Sequence, residues 1–275
     1  MKNILFFGGG NIAQALISGL LLNGMSNKNV FFVDRNPANQ KKLNSLKVKS
    51  LKKSNSDIDI VILSVKPKDA IQAYKEILNN YKNPKIVSLV AGIKSSAYTK
   101  LDSRTEFMRA MPNTASKYGY GITALYNSSF KKSNFKKASS IFSKVGTVIE
   151  VNNDSKIDTF TGVIGSGPAY FFQTLKSFEK KLMRLCNQDK KIVKEIIGNL
   201  MKGVGSSVEN DGDLDNLIQA VASKKGTTEA GLKSLKSNNF NQIFEKGLNA
   251  AIKRSKEISN EFSFSPDSSS IPSEK

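Results

Sequence analysis

The sequence predicts an α/β protein: a doubly wound, largely parallel sheet in the first half and an all-helical second half. Three observations predict it. Apolar runs of strand length punctuate the chain up to Glu106–Ala110; a glycine-rich turn joins the first run to a helical period; and from Asp154 onward strand signals give way to helical ones. The expected boundaries are 1–153 for the sheet domain, 154–262 for the helical domain and 263–275 for a disordered tail rich in Ser and Pro.

The first element, Ile4-Leu5-Phe6-Phe7, reads as a buried strand, and Ala13, Leu16, Ile17, Leu20 and Leu21 repeat at helical spacing after it. Between them, Gly8 to Ala13 fits G-x-G-x-x-A. Gly8 makes the tight turn, Gly10 lets a pyrophosphate approach the backbone, and Ala13 lets the helix lie close to the sheet. The helix amino terminus then faces the phosphates, so the unit reads as Rossmann-like and dinucleotide-binding. A second strand, Val30–Val33, ends at Asp34, where an acid would bind the ribose hydroxyls of NAD. Arg35 follows at once and would instead neutralise the 2′-phosphate of NADP, with Asn36 adding a hydrogen bond; NADPH is the expected cofactor and NADH stays open. Strands over 58–65 and 85–90 stop at Lys66-Pro67 and Ala91-Gly92, and another run leads from Thr105 through Arg109 to Asn113. Their ends matter because ligands of doubly wound sheets lie beyond the carboxyl edges of the strands.

In the second half, helical periods cover about 190–210, 214–222, 228–237 and 240–262, after an aromatic stripe that includes Tyr170, Phe171 and Phe178. Gly165-Ser166-Gly167-Pro168 reads as a helix entry able to hold an anion, with Pro168 in the first turn, where its missing N–H costs nothing. Ser223 to Leu232 repeats that logic, gathering hydroxyls and amides at another helix start.

Composition narrows the function classes. The formal charge of +19 comes from lysines scattered through every segment, without an arginine-rich tract or basic and aromatic interleaving, so no nucleic-acid partner is expected. Apolar runs are too short for a membrane span, and the glycine turn interrupts what superficially resembles a leader peptide. The single cysteine, Cys186, asks for no oxidising compartment, and the cytoplasm is the expected location. With no histidine at all, imidazole can serve neither as acid or base nor as metal ligand, and no metal site is expected.

Gly8 to Ala13, Val65-Lys66-Pro67, Ala91-Gly92-Ile93, Arg109 to Thr114, Gly165 to Tyr170 and Gly226-Thr227-Thr228 together resemble the pyrroline-5-carboxylate reductases, in that family's order and to about residue 260. The resemblance implies NAD(P)H-dependent reduction of 1-pyrroline-5-carboxylate, a small imino acid, to L-proline, the last step of proline biosynthesis. It further implies that the helical half forms a dimer, commonly built into rings of dimers. Carried over, Gly8, Gly10, Asn11 and Ile12 would hold the pyrophosphate and Arg35 and Asn36 the adenosine ribose. Val65, Lys66, Pro67, Ala91 and Gly92 would line the cofactor toward its nicotinamide. Thr228 would be the catalytic residue, bonded to the ring nitrogen, with Ser223, Gly226 and Thr227 on the substrate carboxylate. Ser166 would pack close to that pocket and Asp154 would contact substrate. The chain departs from the family pattern at Lys224 and Lys225, where Pro and Gly are usual, and at Ile164, where Ser is usual. Two alternatives stay open: another imine or β-hydroxyacid reductase on the same scaffold, and a non-catalytic NADP-binding regulator.

Overall fold

The structure is a computed structural model that describes residues 3–51 and 57–261; the tail expected over 263–275 lies outside the described residues. In chain order the first part comprises β1 (Ile4–Phe7), α1 (Asn11–Leu22), β2 (Val30–Val33), α2 (Pro37–Ser45), β3 (Lys49–Ser50), β4 (Ile60–Leu63) and α3 (Ala70–Asn80). It continues with β5 (Lys85–Ser88), α4 (Ser95–Thr99), β6 (Glu106–Met111), β7 (Gly121–Asn127), α5 (Lys132–Ser143) and β8 (Gly146–Glu150). The helical part comprises α6 (Asp154–Phe160), α7 (Gly167–Leu185), α8 (Lys190–Asp211), α9 (Leu214–Val221), α10 (Thr227–Ser237) and α11 (Phe240–Glu261).

The strands form one sheet in the order β3-β2-β1-β4-β5-β6-β7-β8. Every neighbouring pair is parallel except β6 with β7, where Met108 faces Asn127 and Met111 faces Ala124 in antiparallel register. Strand order reverses at β1: β2 and β3 run to one side and β4 to β6 to the other, and the crevice of a doubly wound sheet opens at such a switch. All four residues of β1 are buried, as a strand covered on both faces requires. Ile4 and Phe6 share one core with Leu16 and Leu20 of α1 and Phe135 and Phe142 of α5. Leu5 and Phe7 share the opposite core with Tyr74 and Ile77 of α3 and Tyr98 of α4. In that second core the rings of Tyr98 and Phe107 stack with centroids 4.6 Å apart.

The chain divides into two compact units, one of residues up to Ser166 together with the stretch from Ala250 onward, the other Gly167–Asn249. The sheet therefore keeps α6 and the second half of α11 in its own unit. The contacts show why: Gly162 lies so close to α11 that an added Cβ would stand 2.6 Å from the Ile252 nitrogen, and Ser259 donates to Asp158 across 3.0 Å.

In the helical unit, Asp189 caps α8 by accepting from the Lys191 and Ile192 amides, and Asp213 caps α9 through the Asn216 amide. Tyr170, Phe240 and Phe244 form a small ring cluster. Yet α7, α9 and α10 bury no residue, and Phe171, Phe172, Leu200, Val204 and Ile243 stay exposed. Apolar faces of this extent need covering by another surface.

Candidate active site

At the end of β1 the chain turns with Gly8 at φ +105°, a conformation that glycine adopts without strain. The turn is held against β4: a Cβ on Gly8 would lie 2.6 Å from the Ser64 carbonyl carbon and oxygen. Ser64 also grips the turn directly, its hydroxyl donating to the Gly8 carbonyl at 2.7 Å and its amide to the Phe7 carbonyl at 2.8 Å. From the β2 side, Asp34 Oδ2 accepts the Gly9 amide at 2.5 Å and Asn39 Nδ2 at 3.1 Å, while its Oδ1 accepts the Asn36 amide at 2.6 Å. Asp34 thus orients the glycine turn, a job distinct from holding a ribose.

This clamping leaves the amino terminus of α1 open. Gly10 precedes the helix with no side chain capping it and nothing within 4 Å of where a Cβ would stand. The amides of Asn11, Ile12 and Ala13 lack partners within the helix by geometry, and the helix dipole adds partial positive charge. A dinucleotide pyrophosphate fits this feature, which supplies amides, field and room at the switch point.

The other expected cofactor residues gather along the same sheet edge. Arg35 and Asn36 follow β2; the Asn36 side chain caps α2 through the Ala38 amide at 2.8 Å, and Arg35 Nη2 lies 2.8 Å from Glu76 Oε2 on α3. Val65 is half-buried and Lys66 exposed, and Pro67 opens a single 3-10 turn after β4. Ala91 is half-buried. Gly92, at φ +75°, is covered by Ile258 of α11, whose Cγ2 would stand 2.1 Å from a Cβ there. Close approach at Gly92 is therefore made by α11, not left open as its glycine identity alone suggests.

Arg109 emerges as the central buried charge. It is 1% exposed on β6, and its Nη1 donates to Asp154 Oδ1 at 2.7 Å, with Asp158 Oδ1 3.9 Å from Nη2. Asp154 Oδ2 accepts both the amide and the hydroxyl of Ser95, at 2.9 and 2.5 Å. The residue read from sequence as a substrate contact is thus engaged on both oxygens by its own unit. Burial pushes the Asp158 carboxyl above the usual carboxylate range, opposed by the Arg109 guanidinium and the Ser259 hydroxyl. Sequence reasoning missed the Arg109–Asp154–Asp158 cluster and the Ser64 and Asp34 clamps; an arginine inside an otherwise apolar strand was the available signal.

Ser166 does not cap a fresh helix. It follows a π-helical turn, Thr161–Gly165, with its amide donating to the Thr161 carbonyl at 3.0 Å and its hydroxyl to the same oxygen at 3.3 Å. Pro168 accounts for the departure: lacking an N–H, it cannot continue the α-helical ladder, and a widened turn accommodates the mismatch.

In the helical unit, Ser223, Gly226, Thr227 and Thr228 come together at the start of α10. Gly226 is the residue before the helix, no side chain caps it, and Ser223 Oγ would stand 2.3 Å from a Cβ on Gly226. Lys225 sits at φ +59°, a conformation costing a non-glycine residue about 1 kcal/mol, and its amide donates to Glu229 Oε2 at 2.5 Å. Glu229 therefore secures the turn at Lys225. The first-turn amides of Thr227 and Thr228 remain for an anion. Among the described residues no His/Cys/Asp/Glu group could hold a metal ion, and no helix is long and apolar enough to cross a membrane.

A glycine turn clamped at the switch point of a doubly wound sheet, ahead of an uncapped helix, defines a dinucleotide-binding protein. In agreement, the sequence pattern described as NADP oxidoreductase, coenzyme F420-dependent, matches residues 3–92. The pattern for pyrroline-5-carboxylate reductase dimerisation matches residues 154–258. Pyrroline-5-carboxylate reductase of Haemophilus influenzae is 31% identical, over 94% of this chain and 97% of its own. The pyrroline-5-carboxylate reductase structure from Coxiella burnetii superposes with TM-score 0.81 at 30% identity, covering 94% of this chain and 98% of that one. The NADP-bound Plasmodium falciparum pyrroline carboxylate reductase, at 21% identity, shares the fold with TM-score 0.82 over 94% of this chain and 98% of its own. The chain belongs to the pyrroline-5-carboxylate reductase family.

Proposed function

We propose that this chain reduces 1-pyrroline-5-carboxylate to L-proline with NADPH as the preferred donor, completing proline biosynthesis. The observation that carries this reading is the family relationship over nearly the whole chain, two-part pattern included. The α1 amides of Asn11 and Ile12 hold the pyrophosphate, Gly8 and Gly10 keep the backbone close to it, and Arg35 and Asn36 meet the adenosine ribose. Val65, Lys66, Pro67 and Ala91 form the wall toward the nicotinamide, with Gly92 behind it against Ile258. When bound, the cofactor supplies a hydride.

In the helical unit, the amides of Thr227 and Thr228 and the hydroxyl of Ser223 hold the substrate carboxylate; the Gly226 amide, expected there from sequence, instead donates to the Ser223 carbonyl at 3.0 Å and shapes the turn. The hydroxyl oxygen of Thr228 accepts the N–H of the protonated imine and so fixes the orientation of the ring. Hydride adds to the imine carbon, the C=N electron pair passes to nitrogen, and nitrogen keeps its proton. The iminium is already electrophilic, so a protein without histidine suffices. Ser166 and Asp154 act as scaffold, Asp154 through Arg109 and Ser95. The uncovered apolar faces of α7, α9 and α10 support a homodimer, alone or within a ring of dimers, and the single cysteine supports a cytoplasmic location. Neither nucleic acid nor membrane is a partner in this reading.

Purified protein mixed with NADPH and 1-pyrroline-5-carboxylate is expected to consume nicotinamide absorbance and yield proline. NADPH binding without turnover would favour the regulator instead. Thr228→Ala is expected to lower kcat/KM by about tenfold or more; unchanged kinetics would remove Thr228 from its role.

A further inference from the structure

Two neighbouring charges at the end of β2 do different work. Asp34 is turned inward, with both carboxylate oxygens accepting hydrogen bonds from Gly9, Asn36 and Asn39. Arg35 is turned outward, its side chain 85% exposed, and its guanidinium meets one carboxylate, that of Glu76 on α3, at 2.8 Å. Glu76 is the less exposed partner at 32% and sits on a helix packed against the sheet by Ala73, Tyr74 and Ile77, so its position is the better fixed.

We infer that Glu76 is a specificity-determining residue that sets the preference between NADPH and NADH by competing with the 2′-phosphate for Arg35. This rests on the reading of Arg35 as the group beside the adenosine ribose. A phosphate arriving at Arg35 must either displace Glu76 or share the guanidinium with it, and in sharing it meets a negative charge at close range. NADH carries no phosphate at that position, so it leaves the Arg35–Glu76 pair intact. Glu76 therefore restrains NADPH affinity and leaves NADH affinity alone. Exposed ion pairs are weak, which makes the exchange reversible and the restraint modest. Asp34 does not compensate by selecting NADH, because its oxygens are already engaged in shaping the glycine turn.

The test is direct titration of the purified protein with NADPH and with NADH, followed by the intrinsic nicotinamide fluorescence, without substrate. Glu76→Gln keeps the shape of the side chain and removes the charge. It is expected to tighten NADPH binding by about three- to fivefold, the scale of a partly exposed ion pair, and to leave the NADH Kd unchanged. Arg35→Ala is expected to weaken NADPH alone and to leave the NADH Kd unchanged. An unchanged or weakened NADPH Kd in Glu76→Gln, with both cofactors still bound, overturns the role of Glu76 and leaves the cofactor reading standing. Failure of the unaltered protein to bind either dinucleotide overturns both.

Discussion

Arg109→Met is expected to lower the folding stability by about 3–5 kcal/mol, the cost of removing one partner from a buried ion pair. The substitution keeps much of the apolar stem but removes the guanidinium that faces Asp154 and the almost fully buried Asp158, leaving the weaker field of Lys94 at Asp158. Urea unfolding of the two proteins at matched concentration measures it, and equal midpoints would contradict the anchoring role. The deficit should depend on pH in a definite direction. Burial already holds the Asp158 carboxyl above its usual range, and the guanidinium is the largest influence pulling it down; without Arg109 it rises further. A group whose folded pKa is raised binds its proton more tightly folded than unfolded, so its contribution is present below the unfolded pKa and lost as pH rises through the folded one. The Arg109→Met deficit should therefore shrink as the solution is acidified from neutral pH toward the ordinary carboxylate range. A deficit that widens on acidification would contradict the assignment.

Gly8→Ala is expected to reduce NADPH affinity by about tenfold or more, because the added Cβ would stand 2.6 Å from main-chain atoms of Ser64 at a φ of +105°. The turn must move off β4 to accept it, carrying the open end of α1 with it. Gly10→Ala makes the informative contrast. Its backbone, at φ −68°, suits alanine, and nothing lies within 4 Å of the new methyl group. It should leave the unfolding midpoint unchanged yet weaken NADPH, since the methyl occupies space proposed for the pyrophosphate. Fluorescence titration and thermal unfolding of both variants check the pair; equal NADPH affinity in Gly8→Ala and the unaltered protein would sink the proposal that this turn holds the cofactor.

Much of the fold was legible because local pattern and tertiary role agree. The fully apolar β1 followed by Gly8 to Ala13 needs both faces covered and a tight turn, and it obtains both. The helices after Asp154 carry their period plainly. β7 and β8 were not anticipated: β7 carries Gly121 at its start and β8 opens on Gly146, so neither shows a long apolar run. β7 also pairs antiparallel in a sheet otherwise built by parallel crossovers. At the candidate site, the positions of Gly10 and of the Ser223 to Thr228 turn followed from glycine and hydroxyl spacing. What an acid or a glycine does once placed was less legible. Asp34 could have faced a ribose or the glycine turn, Asp154 a substrate or an arginine 45 residues away in sequence, and Gly92 a cofactor or Ile258; only long-range packing distinguishes these. Gly165 to Pro168 carried a real signal of irregular helix, but periodicity alone does not separate a fresh helix start from a π-helical turn.

The contact between Gly92 and Ile258 has a consequence for the order in which the protein is made. The nucleotide-binding unit is discontinuous along the chain, interrupted by Gly167–Asn249. On the ribosome, β1 to β8 emerge well before α11, yet the surfaces at Gly92, Gly162 and Asp158 are shaped for residues of that later helix. These surfaces must therefore wait, uncovered, until α11 has been made. A chain ended at Ser166 would carry the glycine turn and the sheet but lack Ile252, Ile258 and Ser259, so a nascent or truncated form should expose apolar surface that the finished protein hides.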